Sequence, residues 1–183
     1  MTKFRDRYRV ESARLPGWDY RAAGWYFVTV CAKDHIPFFG HVADGEMILS
    51  PTGEIVVEEW RRTPEVRPNV VLDEWIVMPN HLHGIIVIVD TPQPVETPRR
   101  GVSTTRWDDF ITGQRLRAGS LGAIVGQIKS VCTKRIWAAG YTDFAWQSRF
   151  HDHIIRDEGA LRQIRRYIVN NPRTWTEDRY YQI

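Results

Sequence analysis

The sequence predicts an α+β, ferredoxin-like (RRM-like) fold: an antiparallel sheet with helices on one face, plus a C-terminal helix. Three observations lead there. Two apolar runs, "NVVLDEWIVMP" and "HLHGIIVIVD", are joined by a tight Pro79-Asn80 turn; two stretches, from Pro51 and from Ser120, have helical periodicity; and the segments follow the order strand, helix, strand, strand, helix, strand. At 183 residues with 43% apolar content, the chain suits one domain around one core.

Each element has its own signal. "GWYFVTVCA" (Gly24 to Ala32) is rich in aromatic and β-branched residues and reads as a buried strand. Asp44-Gly45 between short apolar runs predicts a hairpin before Pro51. From Pro51, Ile55, Val56, Glu59 and Trp60 fall at helical spacing, and the helix is expected to end near Pro64. The run Ile85 to Val89 is apolar without alternation, the mark of a central strand covered on both faces. In "SLGAIVGQIKSVCTKRIWAAG", Ser120 is the expected N-cap and Gly140 the stop; Leu121, Ile124, Val125, Ile128, Val131, Cys132 and Ile136 share one stripe. "AWQSRFHDHIIRD" reads as the last strand and "EGALRQIRRYIVNNP" as a helix stopped by Pro172. A basic arm is expected over 1–15 and a mobile loop over about 91–118, where Pro92, Pro94 and Pro98 precede Arg, Ser, Thr and Gly.

The net charge of +3 is unevenly spread. Residues 1–14 carry Lys3, Arg5, Arg7, Arg9 and Arg14 against Asp6 and Glu11, and 99–135 are also strongly basic, so the rest of the chain is net acidic. Two basic segments on an acidic body suit a polyanion, of which nucleic acid is the commonest; solvated surface explains the same charges. Cys31 and Cys132 stand far apart with no CxxC spacing, which argues against a disulfide framework and a thiolate zinc site and favours a reducing, cytoplasmic setting. No apolar leader begins the sequence and no run approaches a membrane span, so a membrane partner is not expected. No HExxH helix supports a zinc hydrolase, and the glycines of "AGSLGAIVG" do not form the GxGxxG of a dinucleotide site.

The informative stretch is "PNHLHGIIVI". On a strand His81 and His83 share one face and Leu82 points to the other, so two imidazoles are offered together from a rigid element. Such a pair can hold a divalent ion; it can also be two polar residues at a strand terminus. "FHDHI" repeats the spacing with His151 and His153, but Asp152 between them makes an edge or substrate-contacting strand the better reading.

"PNHLHGIIVI" resembles the His-hydrophobe-His strand of the single-tyrosine HUH endonucleases, the IS200-like transposase superfamily. "RLPGWDYRAAGWYFVTVC", "SLGAIVGQIKSVCTKRIW", "WQSRFHDHIIRD" and "IRRYIVNNPRTW" are similar to the REP-associated tyrosine transposases, in the same order along the chain. The resemblance implies a transposase: a metal-dependent, single-stranded DNA endonuclease and strand transferase that cleaves near hairpins of REP palindromes through a 5′-phosphotyrosine. By that resemblance Tyr167, on the helix after the last strand, is the nucleophile, with His81 and His83 the other catalytic residues. Some relatives place a glutamine at the position of Asn171; here the shorter Asn171 joins His81 and His83 as third ligand of Mg²⁺ or Mn²⁺, unless a carboxylate or water replaces it. Tyr167 and Asn171 lie i, i+4 on one helical face. Tyr180 and Tyr181 are rival nucleophiles in an expected tail, and Tyr141 is a loop residue.

Lys129, Lys134 and Arg135 are candidate contacts to hairpin phosphates, and Arg5, Arg7 and Arg9 to a groove beside the stem. The expected partner is single-stranded DNA folded into hairpins, met in the cytoplasm at the nucleoid; a monomer is expected over a homodimer that exchanges helices. Two other readings remain open from the sequence: a non-catalytic, regulatory hairpin-binding protein, and a replication-initiator nickase, the latter weakened by the absence of a helicase region.

Overall fold

A computed structural model describes residues 3–4, 7–8, 15–90 and 119–181. The loop expected over 91–118 and most of the basic arm, with Arg5 and Arg9, lie outside the described residues, as does the Arg7 side chain. The elements are β1 (Lys3–Phe4), β2 (Arg7–Tyr8), β3 (Gly24–Cys31), β4 (Gly40–Ala43), β5 (Glu46–Leu49), α1 (Pro51–Arg61), α2 (Thr63–Val66), β6 (Val70–Met78), β7 (His81–Ile88), α3 (Leu121–Ala138), β8 (His151–Ile155) and α4 (Glu158–Asn170). A 3-10 segment, Asn171–Glu177, kinked at Thr174, continues from α4.

The main sheet is antiparallel in the order β6-β7-β3-β8, the strand order of a ferredoxin-like fold. β7 lies between β6 and β3, and all eight of its residues are buried, as its unbroken apolar run requires. Its alternation feeds two cores. Leu82, Ile86 and Ile88 join Tyr26, Val28 and Val30 beneath α1 and α3; Ile85 and Val87 join Ile155 beneath Leu161 and Ile168 of α4. α1 and α3 thus cover one face and α4 the other.

Local chemistry sets the boundaries. Ser50 and Ser120 cap α1 and α3 by accepting from the amides of Gly53 and Ala123, and Asp157 caps α4 by accepting from Ala160. Asp44 and Gly45 both have positive φ, 51° and 75°, the conformation a two-residue hairpin turn demands. Two boundaries differ from expectation. α1 stops at Arg61, and Pro64 sits in the first turn of α2, where its missing N–H costs nothing. β8 begins only at His151, because Trp146 makes a single bridge to Ala32 and then turns its indole to donate to the Lys129 carbonyl and pack against Phe39 and Phe144. Both cysteines are buried and free, and burial raises the Cys31 thiol to about 11 and that of Cys132 to about 12, which leaves them unreactive. Among the described residues no helix is long and apolar enough to cross a membrane.

Gly84 shows how closely β7 is covered. A Cβ there would lie 2.3 Å from Cζ2 of the fully buried Trp60 and 3.1 Å from Cβ of Trp75. Gly84→Ala is therefore expected to lower stability by about 1–3 kcal/mol through overpacking, measured by denaturant unfolding. An unchanged midpoint would mean that Trp60 is free to move.

Candidate active site

β7 carries His81 and His83 to the α4 side of the sheet, paired in register with Cys31 and Thr29 of β3 and with Met78 and Ile76 of β6. Both imidazoles are 0% exposed, and their ring centroids are 4.3 Å apart. Burial, with the neighbouring His83, His35 and Arg179 adding to it, pushes the His81 pKa well below its usual value; burial pushes that of His83 down to about 3. Both rings are thus neutral at physiological pH, the state in which a ring nitrogen can ligate.

α4 is strongly amphipathic: Leu161, Ile164 and Ile168 face the sheet. Its angle is fixed by Arg165, which donates from Nε and Nη2 to the two carboxylate oxygens of Asp73 on β6 at 2.8 and 2.7 Å and stacks over Trp25. That docking brings the Tyr167 hydroxyl to 3.0 Å from His83 Nε2 and 3.1 Å from Asp178 Oδ2, while its ring stands edge-on to Phe27. Burial and then the negative charge of Asp178 raise the Tyr167 pKa above its ordinary 10, so the hydroxyl keeps its proton until a base takes it.

Asn171 is buried, and its Nδ2 donates to Asp178 Oδ2 at 2.9 Å. Asp178, beyond the 3-10 segment, also accepts from the Tyr180 amide through Oδ1. Ligating atoms of His81, His83 and Asp178 all lie within 4.8 Å of one another. This donor set, two imidazoles and a carboxylate, suits Mn²⁺ well and Mg²⁺ acceptably. A further observation bears on the fit: His81 Nε2 and Asn171 Oδ1 are buried with no hydrogen-bond partner among the described residues. The residues present therefore fit a divalent cation, with Asp178 supplying the carboxylate and Asn171 bracing it through its amide N–H.

Asp178 is the site residue that sequence reasoning missed. It follows Pro172 in a stretch without periodicity, and its one signal is an acidic pair, Glu177-Asp178, set among Trp175, Tyr180 and Tyr181. That stretch is not a tail. Tyr180 is buried, its ring 4.7 Å from His81 and 5.4 Å from His35. Of the basic candidates on α3, Arg135 is paired with Glu58 and Glu59 of α1 at 2.5 and 2.6 Å, and Lys129 is half-buried and donates to the Gln147 carbonyl. Lys134 is exposed. His151 and His153 are exposed on β8, an edge strand, and are paired with Thr29 and Phe27; they stand on the same sheet face as His83.

No protein-family model matches the chain. A protein of Haemophilus influenzae, described only as uncharacterized, is 35% identical over 182 residues, which span 93% of this chain and 92% of that one. The chain belongs to one family with it. Among solved structures, a REP-associated tyrosine transposase bound to a REP hairpin superposes with a TM-score of 0.55 at 19% identity, over 96% of this chain and 74% of the other. The fold is that of the REP-associated tyrosine transposases, as the resemblance implied.

The buried imidazoles make stability depend on pH. In the metal-free protein each is neutral when folded and titrates near 6.5 when unfolded. The unfolded chain therefore binds more protons below that pH, and the stability is intact above 6.5 and lost as pH falls toward the folded values. Each histidine is expected to add up to about 1.4 kcal/mol per pH unit across that window. Denaturant unfolding between pH 7 and 4.5 should show the slope, and His83→Gln should reduce it; an unaltered slope in that variant would count against a neutral His83.

Proposed function

We propose that this chain is a metal-dependent nuclease and strand transferase that cuts single-stranded DNA beside hairpins of REP type, with Tyr167 as nucleophile and a 5′-phosphotyrosine as intermediate. The observation that carries this reading is the Tyr167 hydroxyl, held 3.0 Å from His83 Nε2 over a convergent His81, His83 and Asp178. A structural tyrosine on an amphipathic helix would be covered by the core, whereas Tyr167 is 41% exposed with its hydroxyl turned onto the site, so a phosphodiester has access to it.

The chain's own groups account for the proton and the bond changes. As the Tyr167 oxygen attacks phosphorus, its proton passes to Asp178 Oδ2, 3.1 Å away. The Oη–P bond forms and the P–O3′ bond breaks, leaving the electron pair on a 3′-oxygen that takes a proton from solvent. Rejoining runs the same steps in reverse, so no nucleotide is consumed. His81, His83 and Asp178 would hold Mg²⁺ or Mn²⁺, which supplies polarisation of the phosphate and compensation of its charge. Arg165 and Asp73 hold α4, and so Tyr167, fixed against the sheet, which favours a positioned nucleophile. The exposed Lys134 is free to meet a hairpin phosphate, as Arg135, engaged with α1, is not.

The deciding experiment mixes the protein with labelled hairpin-bearing single strands and Mn²⁺, with and without chelator, and looks for an adduct that survives denaturation. An adduct is expected that needs metal, maps to Tyr167 and is absent in Tyr167→Phe. Tight hairpin binding with no adduct under any metal would sink the enzyme reading and leave a binding protein. In the same preparation Asp178→Asn is expected to weaken Mn²⁺ binding by about 10-fold or more, measured by calorimetry, and Asn171→Ala by less, because Asn171 acts on the carboxylate rather than replacing it. Equal losses would give Asn171 a ligand's role.

A further inference from the structure

We propose that Asn80 is a positioning residue that locks His81 in the tautomer protonated at Nδ1, so that His81 Nε2 faces the site as a bare lone pair. This rests on the reading of His81, His83 and Asp178 as a cation site and deepens it, since nothing in that reading says what orients the imidazoles.

The argument is one of donors and acceptors. Asn80 is 1% exposed, and its Nδ2 lies 2.9 Å from the His35 carbonyl oxygen and 2.8 Å from that of Tyr180. Carbonyl oxygens only accept, so the amide group facing them must be the NH₂, and the opposite flip would set oxygen against oxygen twice. Oδ1 is thereby aimed at His81 Nδ1, 2.8 Å away. An amide oxygen also only accepts, so His81 Nδ1 must carry the hydrogen. The other ring nitrogen, Nε2, is buried with no partner among the described residues, and with Nδ1 engaged by Asn80 it is the nitrogen left to join the group that His81 forms with His83 and Asp178. A hydrogen there would be a buried donor with nothing to receive it; a lone pair there is a ligand in waiting.

His83 provides the contrast. Its Nδ1 lies 2.9 Å from the Thr29 hydroxyl, which both donates and accepts, and its Nε2 faces the Tyr167 hydroxyl, whose one hydrogen goes to Asp178 Oδ2, so that here Nε2 is the donor. That assignment lasts only while the hydroxyl keeps its bond to Asp178, because hydroxyls can reverse direction, while that of His81 is imposed by a partner with no choice.

The surroundings are built to keep Asn80 in place. Its carbonyl accepts from the Ala32 amide at the end of β3, which ties the β6–β7 turn to the sheet. The His35 carbonyl reaches it from a segment in which Asp34 and His35 both have φ of 54°, a left-handed conformation that costs about 1 kcal/mol or more per non-glycine residue. The Tyr180 carbonyl reaches it from the backbone two residues beyond Asp178. The carboxylate of the site and the tautomer of His81 therefore depend on the same C-terminal segment being docked.

The test reads the metal-free protein by long-range ¹H–¹⁵N correlation of its histidine rings, and then Mn²⁺ affinity by calorimetry, in the wild type and Asn80→Ala. His81 is expected as the Nδ1–H tautomer in the wild type and as an exchanging mixture in Asn80→Ala, with Mn²⁺ affinity lowered about 10–100-fold and the His83 pattern unchanged as evidence of an intact sheet. A wild-type His81 protonated at Nε2 overturns the proposal even if the variant does not fold. So does an Asn80→Ala protein whose His81 tautomer and Mn²⁺ affinity match the wild type, which would make Asn80 a turn residue and nothing more. A wild type with the Nδ1–H tautomer that binds no Mn²⁺ supports the assignment of Asn80 and overturns the metal reading instead.

Discussion

The burial of β7 on both faces is the constraint from which the site follows. A strand covered on one side only could present His81 and His83 to solvent, where their rotamers and charges would vary. Here α1 and α3 close one face over Leu82 and α4 with the C-terminal segment closes the other over the imidazoles. Burial keeps both rings neutral, and the two-residue period of the strand keeps them together. The close approach of Trp60 to Gly84 is the other side of the same coverage: the sheet is pinned from beneath where the histidines stand above it.

Onto that fixed pair the chain brings two mobile-chemistry groups from its C-terminal part by different means. Tyr167 arrives on a helix whose apolar stripe and Arg165–Asp73 fork define its height over the sheet. Asp178 arrives on a kinked 3-10 segment, held by Asn171 and by the Tyr180 amide. Tyr180 then packs its tilted ring against His81 and His35, so an aromatic side chain forms a wall beside the first imidazole. The turn of β4 and β5 abuts the same segment, with Gly45 against Arg173.

These two routes explain what could be read in advance. The sheet order and the shared face of His81 and His83 were legible because strand periodicity translates directly into faces, whereas Tyr167 was singled out by the resemblance to the tyrosine transposases and not by its place on the helix. Asp178 was not legible, because the end of a 3-10 segment that opens on a proline has no periodicity to say which way a carboxylate points. The basic residues of α3 were legible as charges but not as partners. Arg135 finds Glu58 and Glu59 more than 70 residues away in sequence, and only the packing of α3 on α1 reveals that its charge is already spoken for. The acceptor-only surroundings of Asn80 belong to the same class, since His35 and Tyr180 come from opposite ends of the chain.

The carboxylate that completes the site also restrains it. Burial is the first cause of the raised Tyr167 pKa and the charge of Asp178 the next, so with that charge uncompensated the hydroxyl holds its proton. Under the proposed reading, a cation on Asp178 would remove the second cause while leaving the first, lowering the cost of a tyrosinate and the basicity of the carboxylate together, without any movement of α4. The carboxylate that would hold a divalent cation under the proposed reading is therefore the one that raises the Tyr167 pKa in its absence. The hydroxyl and the carboxylate, 3.1 Å apart, are thus a coupled pair, and under the proposed reading the charge on Asp178 would bear on Tyr167 without a rearrangement of the fold.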